Sequence, residues 1–443
     1  MAKQKKILVG PCEVAGYYRN LCEGFRQLGI PYDFITYEPH PFGYGGETRQ
    51  PALLRMARWF SRFHEKPDRS WVTRVFGAWP AEILVSIWAL GAIFRYQVFI
   101  FGFGTSLLRD NLDLPILRKL GKTVISNLGH GSEVRPPFIN GFSQSQKGEP
   151  SPVDLIYALS RQNKQCMINN QKYCNIVIGA PYSTTHFASD RLINIFNLGI
   201  PFQPDQIFDY KSSLPNLLED ESEARAVRIL HSPSNMTGKG SQQIIDAIDR
   251  LKQRGYAIDF ILIHGRPFKE VIEEIQHCDF VVDQLYSDTP MAGFPTESAW
   301  FGKPAVVGGY GLDRLRSYVP EDMWPPSKTC HPDRIEQAIE ELIVDVDQRN
   351  RLGREAQKFV QEKWNSVAVA RRYLRLIDGD IPDEWWIDPE DVAYLEGIGL
   401  PPIQSQQMIR SLVEKYGVEA LQLAHRPSLQ KAFLEFAGIQ DSH

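Results

Sequence analysis

Short apolar runs alternate with helical patterns along most of this chain. Runs that are rich in β-branched residues and lack polar alternation are typical of strands buried on both faces of a parallel sheet. Strands that alternate with helices indicate βαβ units, so we predict an α/β fold. The strand-like runs are "KKILVG", "YDFITY", "QVFIFGF", "KTVISNL", "NIVIGAP", "VRILHS", "DFILIHG", "DFVVDQ" and "KPAVVGG".

The strand-like runs form two series. The first extends from Lys6 to about Ile200, and the second from Ala226 to Val307. The stretch between them is rich in proline and then acidic, which suits an interdomain linker. We therefore predict two Rossmann-like domains that face a cleft, followed by a helical C-terminal extension. The predicted segments are a first domain at 1–205, a linker at 206–225, a second domain at 226–377 and the extension at 378–443.

Helical periodicity dominates after the second series. Ile335, Ala338, Ile339 and Leu342 recur at helical spacing. The extension carries an amphipathic pattern, and two interpretations of it stay open: it packs back on the body of the protein, or it mediates self-association.

Composition narrows the classes of protein and of partner that we expect. The net charge of −4 gives no reason to expect a nucleic-acid partner. The six cysteines are scattered without zinc-ligand spacing, so we expect reduced thiols and no metal site. The apolar run at the N-terminus is too short for a signal-peptide core. We therefore expect a cytoplasmic protein, peripheral to the inner face of a membrane at most.

One apolar segment is long enough to raise the question of whether it spans a membrane. It runs from Trp79 to Phe103, and Glu82 and Arg95 interrupt it. A membrane-spanning helix needs about 20 predominantly apolar residues. We therefore predict a buried helix at 81–94 followed by a strand at 97–101.

The first candidate for chemistry is the stretch "HSPSNMTGKGSQQII", which places Lys239 between two glycines. It follows a predicted strand and precedes a helix whose apolar face includes Ile244, Ile248 and Leu251. Backbone amides in such a turn approach a ligand closely, and the helix N-terminus adds roughly half a positive charge. The turn therefore predicts an anion site at the carboxyl edge of a sheet. The alternative is a solvated lysine in a surface loop.

The second candidate is "GFPTESAWFGKPAVV". Its pattern predicts a glycine turn, a short helix, a stop at Gly302 and a strand led by Pro304. We expect Glu297 in the first turn of that helix, where a carboxylate can accept hydrogen bonds from the vicinal hydroxyls of a ribose. The alternative is a glutamate that merely complements the helix dipole.

Together the two stretches resemble the C-terminal domain of GT-B glycosyltransferases of family four. The first-domain stretches "GPCEVAGYYRNLCEGF" and "LGHGSEVRPPF" resemble the glycine-containing loop and the H-G-x-D-x-R stretch of that family. The resemblance implies that Lys239 binds the donor diphosphate, that Glu297 holds the ribose and that Gly16 lies in the cleft. It implies His130, Lys239 and Glu297 as catalytic residues. The substrate-binding residues that it implies are Gly16, Glu133, Arg135, Ser234, Asn235, Gly240, Gly293, Phe294, Pro295 and Thr296.

Two positions depart from the family pattern. Many members carry an arginine five residues before the lysine, where this chain has Ser234. Many also carry an acid eight residues before the glutamate, where this chain has Thr289, with Asp288 beside it. The diphosphate would therefore lose one expected cation.

The resemblance implies transfer of a hexosyl group from a nucleotide-diphosphate sugar to an acceptor hydroxyl, with retention and without a metal or a cofactor, in polysaccharide or glycoconjugate synthesis. The acceptor would be a glycan, a lipid-linked molecule or a small molecule. The alternative is a catalytically silent GT-B protein that binds a sugar nucleotide or a glycan as a sensor or assembly partner. A nicotinamide oxidoreductase is a weaker option, since "GFGTSLL" at Gly102 lacks G-x-G-x-x-G.

The first domain also contains an aromatic and basic segment at 49–74. It suggests peripheral contact with anionic lipid headgroups or with a lipid-diphosphate acceptor. The alternative is a solvated helix face with Trp59 and Phe60 in the core. The basic residues are Arg49, Arg55, Arg58, Arg62, Lys66, Arg69 and Arg74.

Overall fold

A computed structural model describes residues 5–38, 50–64, 71–146, 149–204 and 225–440. The predicted linker, apart from Arg225, therefore lies outside the described residues, as do Arg49, Lys66 and Arg69 of the basic segment. In chain order the strands are β1 (Ile7–Val9), β2 (Tyr32–Phe34), β3 (Val98–Gly102), β4 (Thr123–Asn127), β5 (Ser145–Gln146), β6 (Glu149–Pro150), β7 (Ile176–Gly179), β8 (Leu192–Asn194), β9 (Val227–His231), β10 (Ile258–Leu262), β11 (Phe280–Val282), β12 (Ala305–Gly308), β13 (Lys328–Cys330) and β14 (Trp386–Ile387).

The helices connect these strands in the alternating order that the sequence predicts. In chain order they are α1 (Tyr17–Gln27), α2 (Ala52–His64), α3 (Trp71–Arg95), α4 (Leu114–Lys119), α5 (Gly141–Gln144), α6 (Val153–Tyr173), α7 (Pro181–Thr184), α8 (Ile195–Leu198), α9 (Ser241–Gln253), α10 (Phe268–His277), α11 (Gly293–Trp300), α12 (Leu312–Leu315), α13 (Ile335–Val344), α14 (Val346–Lys363), α15 (Ser366–Asp378), α16 (Pro402–Tyr416) and α17 (Pro427–Phe436).

Two sheets organise the molecule into two lobes. The first lobe contains a seven-stranded sheet of order β14-β8-β7-β4-β3-β1-β2, in which only β14 is antiparallel to its neighbour. The second lobe contains a parallel sheet of order β10-β9-β11-β12-β13. The central strands β3 and β11 are buried along their whole length. The predicted α/β class with two Rossmann-like domains is confirmed.

The periodic segments form the predicted helices. Ile244, Ile248 and Leu251 of α9 are fully buried, as are Ile339 and Leu342 of α13, in one core cluster of the second lobe. The prediction that Gly302 ends α11 is also confirmed, because the helix ends at Trp300 and Gly302 follows with φ of 71°.

The chain returns to the first lobe before the predicted second domain ends. α15 packs against α1, and its residues Val369 and Tyr373 belong to the core cluster around β1. We therefore assign α15 to the first lobe, although the predicted domain 226–377 includes it. Sequence periodicity cannot reveal which sheet a helix covers, because the pattern is the same for both.

The C-terminal extension packs back on the body of the protein. β14 adds to the edge of the first sheet, and Tyr416 of α16 stacks on Tyr157 with ring centroids 4.2 Å apart. The extension also joins the lobes: Ile398 N–H donates to the Ile139 carbonyl, and Gly399 N–H donates to the Tyr286 carbonyl, each over 2.9 Å.

Candidate functional site

The turn between β9 and α9 is held in shape by its own residues. Asn235 Oδ1 accepts from the Gly238 amide over 2.7 Å, and the Asn235 carbonyl accepts from the Lys239 amide over 3.1 Å. Gly240 precedes α9 with φ of 68°, and a Cβ there would lie 2.6 Å from Leu285 Cβ. Asn235 and Gly240 therefore build the turn that presents Lys239, whereas Ser234 is exposed beside it.

Lys239 lies in this turn as a largely buried side chain that is already paired. Its Nζ is 3.1 Å from Asp283 Oδ1, and the Lys239 side chain is 15% exposed. The second Asp283 oxygen is buried without a hydrogen-bond partner among the described residues. The alternative of a solvated surface lysine is therefore wrong for this structure.

Asp283 is a site residue that the sequence analysis missed. It directly follows β11, which is the neighbour of β9 in the sheet, so the two loops lie side by side at one edge. The Leu285 amide donates to the Lys239 carbonyl over 2.9 Å, which joins them. The sequence did contain a signal for Asp283, since it is an acidic residue directly after the strand-like run "DFVV". The carboxyl ends of adjacent parallel strands lie at the same edge of a sheet, which brings such a residue close to the Lys239 turn.

Helix α11 places the second candidate stretch at the same edge. Glu297 is buried, and it lies in the second turn of α11 rather than in the first, because the helix begins at Gly293. Pro295 and Thr296 are also buried, and Thr296 Oγ1 donates to the Ala292 carbonyl over 2.7 Å. These two residues stabilise the start of the helix.

The N-terminus of α11 faces the first lobe. A Cβ on Gly293 would lie 3.9 Å from Ala15 Cβ in the loop after β1. Phe294, next to it, is half-buried and packs against the main core. Gly16 lies in the same loop and precedes α1 with φ of 78°. The structure thus brings Gly16 and Gly293 to opposite sides of one cleft.

The loop after β1 contains a second residue that the sequence analysis missed, Glu13. Its carboxylate accepts from the backbone amides of Tyr18 over 3.2 Å and Arg19 over 2.9 Å. Burial raises the pKa of Glu13 to about 7, and these two backbone hydrogen bonds oppose the shift. The N-terminus of α1 is therefore complemented by a carboxyl group from its own loop.

His130 and Glu133 follow β4 in the first lobe. His130 Nε2 is 3.0 Å from the Tyr18 hydroxyl, and burial lowers the pKa of His130 to about 4. Burial raises the pKa of Glu133 to about 8. Both Glu133 carboxyl oxygens are buried without a hydrogen-bond partner in the described part of the chain. A buried carboxyl group with so few partners is costly, which makes Glu133 a candidate for a functional role.

Arg135 connects the two lobes. Its Nη2 lies 2.8 Å from Asp288 Oδ2 and 2.8 Å from Ser183 Oγ, and Ser183 Oγ also donates to Asp288. The arginine side chain is almost fully buried. Arg135 therefore holds the second-lobe loop against the first lobe. Because its guanidinium group is already paired with Asp288, it is not a free cation that awaits a ligand.

Close packing explains Gly102 without a nucleotide. A Cβ on Gly102 would overlap the side chain of Tyr18, whose hydroxyl contacts His130. A cavity of about 390 Å³ lies at the carboxyl ends of β12 and β13, and its lining includes His331 and Arg334 but none of the predicted site residues.

Within the described ranges, no cluster of three or more His, Cys, Asp or Glu side chains could hold a metal ion.

Comparison with known proteins gives similarity in structure only. No family model matches the chain, and no curated protein matches it. Among solved structures, Anabaena HepE in complex with UDP and glucose is 13% identical, with 85% of this chain and all of that chain covered and a TM-score of 0.44. TarM is 9% identical over 85% and 99% of the two chains, with a TM-score of 0.48.

A third similar structure is an epimerase. The UDP-GlcNAc 2-epimerase from Neisseria meningitidis bound to UDP-GlcNAc is 10% identical over 84% and 99% of the two chains, with a TM-score of 0.40. The chemistry of the site must therefore be inferred from its own residues.

Proposed function

We propose that this protein is a glycosyltransferase that moves a sugar from a nucleotide-diphosphate sugar to an acceptor hydroxyl. The observation that carries the proposal is the contact between the Lys239 turn and the loop that leads to α11, at the carboxyl edge of the second sheet. A buried lysine beside a helix N-terminus favours a diphosphate. Glu297, on the adjacent α11, would hold the ribose of the same donor.

The principal task of the second lobe would be electrostatic. Negative charge grows on the leaving diphosphate as the glycosidic bond breaks, and fixed donors that meet this charge lower the barrier. Lys239 would exchange Asp283 for the diphosphate when the donor binds. Because these groups can meet the charge themselves, we extend the proposal to metal-independent transfer without a cofactor.

The first lobe would bind the acceptor. Glu133 has a pKa of about 8 and is mostly neutral at pH 7, so its carboxyl group can both donate to and accept from a sugar hydroxyl. His130, with a pKa of about 4, is a neutral imidazole at pH 7 and would help to orient that hydroxyl. We include retention of anomeric configuration, a hexosyl donor and glycan or glycoconjugate synthesis in the cytoplasm as finer parts of the proposal.

A panel of nucleotide sugars tests the proposal through nucleotide release with candidate acceptors. UDP-glucose is the first donor to try. We expect release that falls about a hundredfold or more in Lys239→Ala, since loss of one such donor costs roughly 3 kcal/mol in the barrier. Release that is unchanged in Lys239→Ala and in Glu297→Ala would contradict the assignment of both residues.

The silent alternative is favoured by one observation, the Lys239–Asp283 ion pair. Asp283 neutralises the lysine, and exposed Ser234 supplies no second cation. The variant Asp283→Asn separates the two functions. In an enzyme that uses Asp283 only to hold the lysine, Asp283→Asn changes turnover modestly. In a silent protein it raises affinity for the nucleotide diphosphate without producing turnover, which a thermal shift would detect.

A further inference from the structure

Helix α3 has two apolar faces, and the described residues cover only one of them. On the inner face Ala89, Ala92 and Ile93 are buried in the main core. A helix that is apolar all round is normally buried on every side. The outer face of α3 is instead open along four turns. Its large side chains, each more than half exposed, are Trp79, Ile83, Ile87, Leu90 and Phe94.

Helix α2 packs beside α3 and continues this surface with a different composition. Leu54 and Ala57 on its inner face are buried in the same core cluster. Its outer face combines two apolar side chains that are more than half exposed with two exposed arginines. These are Met56, Trp59, Arg55 and Arg62. The expectation that Trp59 lies in the core is wrong, because the residue occupies the solvent side of its helix.

The charge of this region is opposite to that of the whole chain. Residues 49–95 contain eight Lys or Arg and three Asp or Glu, in a protein whose net charge is −4. The only acid in α2 or α3 is Glu82, and it pairs with Arg109 over 3.4 Å. An apolar stripe flanked by arginine and tryptophan is typical of helices that lie in a membrane interface.

Among the described residues, no helix combines the length and the apolar character that crossing a bilayer requires. Arg58 fixes α2 to the body of the protein instead, since its Nε donates to the Tyr37 carbonyl over 2.8 Å. Burial lowers the pKa of Arg58. This arginine therefore anchors α2 beside the carboxyl end of β2 and adds little to the outer surface.

We propose that the outer faces of α2 and α3, which we term the α2–α3 face, dock on the surface of a bilayer that contains anionic lipids. The stripe on α3 enters the boundary between headgroups and acyl chains, while Arg55 and Arg62 meet lipid phosphates. The proposal does not depend on glycosyl transfer, because it rests on exposure and charge alone.

Vesicle flotation of the full chain tests this docking. We compare vesicles of phosphatidylcholine alone with vesicles in which about a third of the lipid is phosphatidylglycerol, at low and high salt. The expected result is binding to the anionic vesicles that is at least tenfold stronger than to neutral ones and that weakens with salt.

Matched variants assign the binding to this face. Ile83→Ser/Ile87→Ser/Leu90→Ser replaces three side chains that are each just over half exposed, so the melting temperature should fall modestly while the protein stays folded and binding weakens at least tenfold. Val344→Ser/Val346→Ser changes two exposed apolar residues in the second lobe and should leave binding unchanged. Arg55→Ser/Arg62→Ser should remove most of the preference for anionic lipid.

Three results would overturn the proposal. The first is no binding of the full chain to anionic vesicles. The second is equal binding by the parent and the triple serine variant. The third is a dimer of the parent protein in light scattering that the triple variant dissociates, without any vesicle binding, which would show that a second copy covers the α2–α3 face.

Discussion

Two strand-to-helix turns face the cleft from opposite lobes, and they place groups of opposite charge type at the N-termini of their helices. Both place a glycine with positive φ before the helix, Gly16 with 78° before α1 and Gly240 with 68° before α9. The turn before α1 supplies a carboxyl group, Glu13, to the amides of its own helix. The turn before α9 supplies a lysine, whose partner Asp283 belongs to the neighbouring loop.

This difference separates a structural turn from a candidate binding turn. A helix N-terminus offers amides to an acceptor, and in α1 the carboxyl group of Glu13 already accepts from two of them. The Lys239 turn adds a positive charge next to α9 and draws its counterion, Asp283, from the loop after the neighbouring strand β11. The comparison therefore supports our proposal that the second lobe binds the donor diphosphate. In that proposal the first-lobe loop shapes the cleft and contacts the acceptor.

The largest expected effect concerns Lys239. We expect Lys239→Met to reduce glycosyl transfer about a hundredfold or more, because one charge-stabilising donor is lost. The single variant also strands the buried Asp283 carboxylate, so its melting temperature should fall.

The double variant Lys239→Met/Asp283→Asn supplies the control. It removes the stranded charge, so stability should recover while transfer stays low. Recovery of transfer in the double variant would mean that the single change acts through folding. Steady-state kinetics and thermal unfolding distinguish these outcomes.

The two glycines sharpen the comparison at the level of the backbone. Gly16→Ala should cost about 1–2 kcal/mol in the free energy of unfolding, because alanine disfavours the left-handed region. Gly240→Ala should cost more, about 2–4 kcal/mol, because its Cβ also meets Leu285. Urea denaturation measures both values, and equal costs would contradict the close contact at Gly240.

Glu133 makes the stability depend on pH. Its native pKa of about 8 lies above the ordinary 4.5, so the native state holds the proton more tightly than the unfolded state. The free energy of unfolding therefore falls as pH rises from about 4.5 to about 8. Glutamine cannot ionise, so the free energy of unfolding of Glu133→Gln should fall by about 1–3 kcal/mol less than that of the parent between low pH and pH 8.

Urea denaturation at pH 5 and at pH 8 measures the effect of Glu133. Glu23→Gln, a change at an ion-paired residue on the surface of α1, is the control and should leave the pH slope unchanged. A slope that is the same in Glu133→Gln and in the parent would contradict the buried state of this carboxyl group.

Glu13 has the smallest expected effect, and it tests the structural half of the comparison. Glu13→Ala removes the acceptor for two amides of α1 and should cost about 1 kcal/mol. Donor binding should be unchanged, since we propose that the donor phosphates bind to the other lobe. A thermal shift with UDP-glucose that disappears in Glu13→Ala would show instead that the loop after β1 binds the donor.

The sequence predicts the features of the site that are local in the chain. The Lys239 turn, the α11 stretch and the Gly302 stop each depend on residues within a few positions of one another, and a single pattern contains them. The alternation of buried strands and helices predicts both sheets for the same reason.

The features that the sequence analysis missed depend on contacts between distant segments. Asp283 contacts Lys239 only because β11 pairs with β9. α15 and β14 pack on the first lobe, although nothing in the hydrophobic pattern of either segment indicates which lobe it joins. The outer face of α3 was expected to be buried, because an all-apolar helix usually is. The periodicity cannot show that, among the described residues, no element covers the second face of this helix.

The central claim is that the Lys239 turn binds the diphosphate of a nucleotide donor. Isothermal titration of UDP and UMP into the parent and into Lys239→Met/Asp283→Asn tests it directly, with GDP and ADP as further ligands. The account predicts that a nucleoside diphosphate binds the parent at least tenfold more tightly than its monophosphate, and that the double variant loses this preference. Equal binding of diphosphate and monophosphate by the parent, or an unchanged preference in the variant, would contradict it.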